Sequence, residues 1–310
     1  MPLALQIKEK ARQLGFFRCG VARAEPLPRL HFLENWIKEQ KHGDMAWIER
    51  TKEKRQDPSL VLPGVKSMIM VGMNYSISDS PETREGVKIS RYAWGEDYHT
   101  LMEDKLKQLM AFVLSLVPSA KARVYADTGP VMEKPWAQKA GMGWIGKHTN
   151  LISPGHGSYL FLGALLIDQE MAYDDPGIDL CGQCSLCIEA CPTGALTSYV
   201  LDATKCISYL TIEKKGEIPE ALKAGIGEWI YGCDDCQDVC PWNAAPQTTE
   251  EPHFKKINPF LKELSLKNLD EAHFNPWFKK SPIKRIKFKG LSRNLQIAQE
   301  NREALNTPSG

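Results

Sequence analysis

The sequence is notable first for what it lacks. In its 310 residues no apolar run reaches the ~20 residues that a membrane-spanning helix needs. The N-terminal segment has charges inside its apolar pattern, no small-residue cleavage site and no twin-arginine signal, so we expect a cytoplasmic protein with no membrane partner. The formal net charge is only +1, which predicts no overall attraction to polyanions. Internal repeats and low-complexity segments are also missing. What remains is a globular chain long enough for one sizeable core and a smaller module.

Cysteine is scarce everywhere except in one stretch. Eight of the nine cysteines lie between Cys181 and Cys240. The ninth, Cys19, falls in a predicted strand, where a free cysteine usually acts as a small buried hydrophobe. Four of the eight form the run C-x2-C-x2-C-x3-C-P that is typical of bacterial ferredoxins: Cys181, Cys184, Cys187 and Cys191.

A second run of the same kind is split. Cys233, Cys236 and Cys240 form C-x2-C-x3-C-P, and Cys206 lies upstream to supply the missing first cysteine. In paired runs the fourth cysteine of each ligates the other cluster. The spacing therefore predicts two [4Fe-4S] clusters. The predicted ligands are Cys181, Cys184, Cys187 and Cys240 for one cluster, and Cys206, Cys233, Cys236 and Cys191 for the other.

Structural zinc and disulfides account for the cysteines less well. Zinc sites also use C-x2-C pairs, but they do not call for two C-x3-C-P endings that exchange a ligand. Disulfides are disfavoured because nothing marks the chain as exported. Two adjacent clusters predict electron transfer, and a chain of this length must contain a part that receives the electrons.

The rest of the chain mixes helical and extended patterns, which predicts an α+β or α/β fold whose sheet order the sequence does not reveal. Apolar spacing predicts helices near 3–14, 30–40, 98–116 and 133–140, and strands near 17–22, 68–73, 123–126 and 158–167. We expect three parts: a catalytic domain at 1–172, a ferredoxin-like domain at 173–250, and a basic, mainly helical segment at 251–310.

Asp127 is the first candidate catalytic residue. It ends a predicted strand, before Thr128, Gly129 and Pro130, where sites are often built on a rigid scaffold. Its ordinary role would be to cap this turn. Alternatively it acts as a general acid, since a carboxyl group desolvated by a bulky cofactor would have a raised pKa.

Asp97 and His99 open the predicted helix at 98–116. Asp97 has an ordinary role as an N-cap, and His99 as a surface or core histidine. The corrinoid motif D-x-H-x-x-G is incomplete, because Met102 stands where the glycine would be, so a histidine ligand to cobalt does not follow. The turn Gly141–Lys147 contains G-x-G-x-x-G but lacks the flanking strand and helix of a dinucleotide site, which leaves a backbone that can be approached closely.

The segment after the cysteines is basic. No acidic residue interrupts it from 279 to 293. One interpretation is a solvated surface. The alternative is binding to nucleic acid, since Trp277, Phe278 and Phe288 lie among the cations and aromatic residues can stack on bases. The cations are Lys279, Lys280, Lys284, Arg285, Lys287, Lys289 and Arg293.

Several blocks together resemble the epoxyqueuosine reductases, and matching blocks run from about Trp47 to Asn294. The blocks are 91–99, 133–135, 141–148, 206–213 and 231–237. The resemblance implies a nitroreductase-like cobalamin-binding domain fused to a ferredoxin-like domain. It further implies an enzyme that reduces epoxyqueuosine to queuosine at the wobble position of tRNA, with electrons passing through the clusters to base-off cobalamin.

The resemblance also implies roles for single residues. Asp127 corresponds to the proton donor, and Asp97 and His99 would line the substrate face of the corrin. The residues expected to hold the corrin periphery or tail are Arg55, Lys147, Ser158, Ser208 and Asp234. Ser90 stands where a close relative has a cysteine, so a cysteine there is not essential.

The implied partners are tRNA with epoxyqueuosine in its anticodon loop and an external low-potential electron donor, and we expect a monomer. Many members continue into a helical repeat domain, so its tRNA contacts are expected to be absent or replaced here. Two other hypotheses remain open: another corrinoid reductase, such as a reductive dehalogenase, and an electron-transfer module without a cofactor in its first half.

Overall fold

The fold is built on a four-stranded antiparallel sheet. Its strands are β1 (Arg18–Arg23), β2 (Ser67–Asn74), β4 (Ala122–Tyr125) and β7 (Leu160–Ile167), and they pair in the order β1-β2-β7-β4. All four lie where the apolar runs predict strands. The computed structural model describes residues 1–27, 30–78, 83, 86–265 and 267–306.

Helices cover both faces of this sheet. They are α1 (Leu3–Gln13) and α5 (Tyr98–Leu116) on one face and α6 (Glu133–Lys139) on the other. Neighbouring residues of β2 point to opposite cores: Ile69 packs with α1 and α5, and Met70 packs with α6. All eight residues of β2 are therefore buried, which explains why the strand is a continuous apolar run and shows no alternation.

The cysteine stretch consists of much shorter elements. Each cysteine run passes through a four-residue helix that contains one cysteine, and these two helices contact each other. Besides β7, the α-helices and strands between 144 and 238 are β5 (Trp144–Ile145), β6 (Leu151–Ile152), α7 (Leu186–Glu189), β8 (Leu196–Thr197), β9 (Val200–Leu201), α8 (Ile207–Ile212), α9 (Glu220–Ile226), β10 (Trp229–Tyr231) and α10 (Asp235–Asp238).

The C-terminal segment packs against the rest of the chain. It contains α11 (Pro252–Lys255), α12 (Glu271–Phe278) and α13 (Lys287–Asn306). Phe274, Phe278 and Leu291 share a core with β3 (Lys88–Ile89) and with β10, which pair in parallel. The segment 251–310 thus completes a core, and the predicted boundaries at 172 and 250 remain predictions.

Three further helices, α2 (Leu30–Lys38), α3 (Ala46–Arg50) and α4 (Lys52–Gln56), lie between β1 and β2 in the chain. Met45 and Trp36 of this region pack against α8, which ties the first half to the cysteine stretch. Among the helices that the structure describes, none has the length and apolarity to cross a membrane.

Candidate active site

A large cavity, with a volume of about 1090 Å³, lies where three regions of the chain meet. The first half contributes His99, Asp127 and Glu133 to its wall. The cysteine stretch contributes Cys206 and Ser208, and the C-terminal segment contributes a row of cations: Lys279, Lys284 and Arg285. The sheet and the cysteine stretch therefore face each other across one space.

An acid–base network occupies the sheet side of this cavity. Asp97 caps α5 by accepting from the His99 backbone N–H at 3.0 Å, and its Oδ1 lies 2.6 Å from His99 Nδ1. The other ring nitrogen, Nε2, lies 3.1 Å from Asp127 Oδ2, and the Tyr98 hydroxyl donates to the same oxygen at 3.0 Å. Asp97 thus has both the capping role and a place in the predicted site.

These contacts determine where the proton resides. Burial lowers the pKa of His99, but its hydrogen bonds to Asp127 and Asp97 outweigh burial and raise the pKa to about 9. The hydrogen bond from His99 lowers the pKa of Asp127. The predicted rise in the pKa of Asp127 refers to a carboxyl group desolvated by a bulky cofactor, and it stays a prediction. The Asp127 side chain is 60% exposed and faces an imidazolium, so the proton is held on His99.

Stacked rings and a strained backbone hold this network. Tyr98 lies between Phe161 of β7 and His99, with centroid distances of 3.9 Å and 4.1 Å. Asp127 has φ of +59°, a left-handed conformation that few residues other than glycine adopt. Gly129 is required two residues later, since a Cβ there would lie 2.2 Å from the Tyr125 ring. The turn that follows β4 therefore fixes the position of the Asp127 carboxylate.

Glu133 is a second acid of the cavity, and the sequence did not reveal its role. Its Oε1 is buried without a hydrogen-bond partner. Burial raises its pKa to about 8, the charge of Asp127 adds to this rise, and Arg55 opposes it. Arg55 is held by Thr51 Oγ1 at 2.9 Å and the Val131 carbonyl at 3.2 Å. Glu133 therefore keeps its proton at neutral pH.

A second cavity of about 320 Å³ adjoins the first, and Cys206 and Ser208 line both. Its wall includes His148, which is only 3% exposed and whose Nε2 has no hydrogen-bond partner. Burial lowers the pKa of His148 to about 4, and its Nδ1 accepts from the Asn150 backbone N–H at 3.1 Å, so at neutral pH Nε2 carries the ring proton and is a free donor. Lys134 also lines the cavity and donates to Asn150 Oδ1 at 2.9 Å.

The eight thiols of the cysteine stretch are unpaired and fall into neighbouring groups. All eight are free of disulfides. The pKa of Cys187 is raised by burial and then by the thiols of Cys240, Cys181 and Cys184. Burial also raises the pKa of Cys236, and its thiol neighbours are Cys206, Cys187 and Cys191, so the two groups lie close to each other. In the described residues no three His, Cys, Asp or Glu side chains are grouped to hold a single metal ion.

Hydrogen-bond donors of the protein contact two of these sulfurs. Trp144 Nε1–H donates to Cys181 Sγ at 3.4 Å, and the Ala195 backbone N–H donates to Cys191 Sγ at 3.3 Å. Hydrogen bonds of this kind stabilise thiolate ligands. The thiol set therefore fits iron–sulfur ligation, and the division of the eight cysteines between two clusters stays a prediction.

Of the five residues expected to hold a corrin, three line the cavities. Arg55 lines the larger cavity, Ser158 the smaller, and Ser208 both. The structure gives the other two different roles. Lys147 Nζ donates to the carbonyls of Gly182 and Cys184 at 2.7 Å and 2.8 Å, which braces the first cysteine run. Asp234 is buried and accepts from Ser90 Oγ and the Arg91 N–H.

Two further predictions need correction. The glycine turn is approached closely by the chain itself, because a Cβ at Gly143 would lie 2.0 Å from the Ile152 carbonyl oxygen. Of the three aromatic residues in the basic segment, Phe278 is fully buried and Trp277 stacks on Phe260 at 5.3 Å. Phe278 therefore cannot stack on a base. Its side chain belongs instead to the core that the C-terminal segment shares with β3 and β10.

An acid–base network that shares a large cavity with Cys206, one of eight closely spaced free thiols, is the arrangement of an iron–sulfur oxidoreductase. Two protein families match the chain: "4Fe-4S double cluster binding domain" over residues 180–243 and "Epoxyqueuosine reductase QueG, DUF1730" over residues 55–128. The first match contains all eight cysteines of the two runs, and it confirms the prediction of iron–sulfur clusters over structural zinc.

Curated relatives match almost the whole chain. Epoxyqueuosine reductase from Cellulophaga algicola is 43% identical over 94% of this chain and 96% of its own length. The Synechocystis enzyme is 44% identical over 85% of this chain and 93% of its own. The chain belongs to the epoxyqueuosine reductase family, as its motifs predict.

Solved structures agree with this assignment. The epoxyqueuosine reductase of Streptococcus thermophilus superimposes with a TM-score of 0.86 at 28% identity, over 98% of this chain and 86% of that one. An epoxyqueuosine reductase crystallised with an epoxyqueuosine-modified tRNA-Tyr stem loop has a TM-score of 0.86 at 29% identity, over 96% and 81% of the two chains.

Proposed function

We propose that this protein reduces epoxyqueuosine to queuosine at the wobble position of tRNA, with two [4Fe-4S] clusters and base-off cobalamin as cofactors. One observation carries the proposal: a single cavity has the network of Asp127 and His99 on one side and Cys206 on the other. Cys206 belongs to the cysteine stretch, which together with its flanking residues we call the cluster module. Reduction of an epoxide to an alkene consumes two electrons and two protons. The wall with Cys206 would supply the electrons, and the wall with Asp127 and His99 would supply the protons.

The cavities fit a cofactor of corrin size. The larger one, about 1090 Å³, lies just above the ~300–1,000 Å³ range of small-molecule sites, and it shares Cys206 and Ser208 with the second. Two buried polar atoms along these walls, Glu133 Oε1 and His148 Nε2, lack partners. Arg55, Ser158 and Ser208 would hold the corrin. Bound there, cobalamin would supply a strongly reducing cobalt, and the clusters would relay single electrons to it.

The residues of the network would supply the protons. Asp127 lies between His99 and the open cavity, and it would pass the proton held on His99 Nε2, 3.1 Å from its Oδ2, to the epoxide oxygen. The same oxygen takes a second proton before it leaves as water. Glu133 holds that proton in the same cavity. Proton donation by a positioned acid typically contributes ~10²–10⁴-fold to a rate.

The mouth of the cavity would bind the anticodon arm. Lys279, Lys284 and Arg285 line it from the C-terminal segment, and Lys54 lines it from α4. Phosphate contacts of this kind position a nucleic acid without reading its sequence. The modified base would have to leave its stack to reach Asp127. Two arginines of the basic segment already have protein partners: Arg293 binds the carbonyls of Leu210 and Gly216, and Arg285 pairs with Glu213 at 2.7 Å.

We further propose that the molecule acts as a cytoplasmic monomer. Its nitroreductase-like part would span 1–172, its ferredoxin-like part 173–250 and its basic, mainly helical part 251–310. An external low-potential donor would reduce the clusters.

The direct test is mass spectrometry of tRNA nucleosides from a strain that lacks this protein. We expect epoxyqueuosine to accumulate and queuosine to disappear, and a plasmid copy to reverse both changes. Normal queuosine in the deletion strain would rule out the proposal. Spectroscopy of the cluster-loaded protein with added cobalamin separately tests the cofactor, since base-off binding should change the corrin spectrum.

A further inference from the structure

The outer face of the cluster module carries an unusual apolar patch. Ile178, Leu180 and Leu186 flank the first cysteine run and are 78%, 51% and 46% exposed. Val239 and Trp242 flank Cys240 and are 39% and 36% exposed. Monomeric proteins seldom expose contiguous large apolar side chains without a binding role. We refer to these five residues as the apolar patch.

The members of the patch lie on elements that contact one another. Leu186 belongs to α7, and Val239 follows α10, the helix packed against α7. Trp242 packs edge-on against Trp144 at 4.8 Å, and Trp144 in turn donates to Cys181 Sγ. Cys184, a predicted cluster ligand, is itself exposed among them. The patch therefore surrounds the point at which the first cluster comes nearest to solvent.

Acidic residues without an ion pair lie beside the patch. Several other Asp and Glu residues of 148–254 are paired with cations, for example Asp202 with Lys205 and Asp238 with Arg91. Asp175, Asp179 and Glu189 are exposed beside the patch, and none of them forms an ion pair with another described residue. The nearby cation Lys147 is engaged by the Gly182 and Cys184 carbonyls. An apolar centre with an acidic rim attracts a partner with an apolar centre and a basic rim.

We propose that the apolar patch is the docking site of a small one-electron carrier protein whose redox centre lies in an apolar face ringed by lysine or arginine. This inference rests on the proposed function, because it requires clusters at the cysteines. Each encounter would oxidise the carrier by one electron and reduce one cluster by one electron. Two encounters would then supply the two electrons that each epoxide takes.

Horse heart cytochrome c is a suitable probe, because lysines surround its exposed haem edge. Its zinc-substituted form binds without accepting electrons, and its ferric form accepts one electron from a reduced cluster. With the cluster-loaded enzyme, we expect the affinity for zinc cytochrome c to fall about tenfold from low to physiological ionic strength. The rate of electron transfer to the ferric form should fall in parallel.

Matched variants test the patch itself. Leu180 and Leu5 are both 51% exposed, but Leu5 lies on α1, away from the cysteines. We expect Leu180→Ser to weaken zinc cytochrome c binding about threefold or more and Leu5→Ser to leave it unchanged. Equal binding by both variants, or binding that does not depend on salt, would overturn the proposal. So would a dimer in sedimentation that Leu180→Ser dissociates, because a second copy would then cover the patch.

Turnover driven by dithionite separates this inference from the proposed function, since dithionite needs no docking face. Leu180→Ser should keep full dithionite-driven conversion of epoxyqueuosine in tRNA. Loss of that conversion in Leu180→Ser alone would count against a pure docking role. If even the wild-type enzyme fails to convert the tRNA while the cytochrome results hold, the proposed function fails and the docking site stands.

Discussion

Two regions of the molecule are stabilised in different ways: the first half of the chain with the four-stranded sheet, which we call the sheet half, and the cluster module. Strands β2 and β7 are eight residues long, and their side chains are buried on both faces. Helices α7 and α10 have only four residues each, and the apolar cluster beside them contains just Trp144, Ile152 and Cys240 with Cys181 at its edge. Apolar burial stabilises the first region, whereas we expect the part of the second around α7 and α10 to depend on bonds between its thiolates and iron.

Removal of one cluster ligand should have the largest effect, and it should affect the cluster module without affecting the sheet half. In Cys236→Ala we expect no measurable turnover, because one cluster loses a ligand and the electron path is interrupted. Hydrogen exchange should accelerate in α7 and α10 but not in β2 or β7. Iron analysis and hydrogen exchange mass spectrometry measure both effects.

Cys19→Ala is the control for that experiment, since Cys19 lies in β1 outside both predicted ligand sets. It should retain full iron content. Unchanged exchange in α7 and α10 of Cys236→Ala would show that the module holds itself together without its ligands.

Asp127→Asn should have the next largest effect and should leave both regions intact. Asparagine tolerates the left-handed backbone at this position, so the variant loses the proton-carrying group and keeps the turn. We expect turnover to fall by ~10²–10⁴-fold with unchanged iron content. Asp104→Asn, an exposed aspartate on α5, is the control. Wild-type turnover in Asp127→Asn would remove this residue from the proton path.

A core substitution in the sheet should give the opposite pattern. Leu165 is fully buried in the middle of β7, and Leu165→Ala should destabilise the sheet half by about 2–5 kcal/mol. Iron content and turnover well below the melting temperature should not change. Differential scanning calorimetry measures the first effect, and loss of iron at low temperature would contradict the separation of the two regions.

The smallest effect concerns the pH dependence of stability. The pKa of His99 is raised from 6.5 to about 9 by folding, so the folded state binds its proton more tightly than the unfolded state. The resulting stability is complete below about pH 6.5 and is lost as the pH rises through 9. The Tm of the wild type should therefore exceed that of His99→Gln by up to about 4 °C in acid, and the gap should close by pH 9. A constant gap would contradict the assignment.

Local patterns were enough to predict part of this molecule. The strand at 68–73 and the helix at 98–116 are confirmed, because an uninterrupted apolar run and a helical spacing are local properties. The cysteine runs predicted iron–sulfur clusters because ligand spacing is chemically specific. The order of the sheet could not be predicted, since β1, β2, β7 and β4 pair over distances of up to about a hundred residues.

The site was predicted less completely for the same reason. Asp97, His99 and Asp127 were each candidates, but their contact with one another and the location of the proton depend on distances that only the fold sets. Glu133 gave no sign of its raised pKa, because its burial comes from the wall around it. The assignments of Lys147 and Asp234 came from resemblance alone, and their contacts explain them as braces of the cysteine runs and of residues 90–91.

The left-handed backbone at Asp127 has a consequence for how this protein would respond to selection for heat resistance. Holding a residue other than glycine in that conformation costs on the order of 1 kcal/mol. Glycine at position 127 would relieve this cost, but it would also remove the hydrogen bonds that Asp127 forms with His99 and Tyr98. The carboxylate therefore offsets the strain of its own backbone, and selection for thermal tolerance alone would have little reason to replace it.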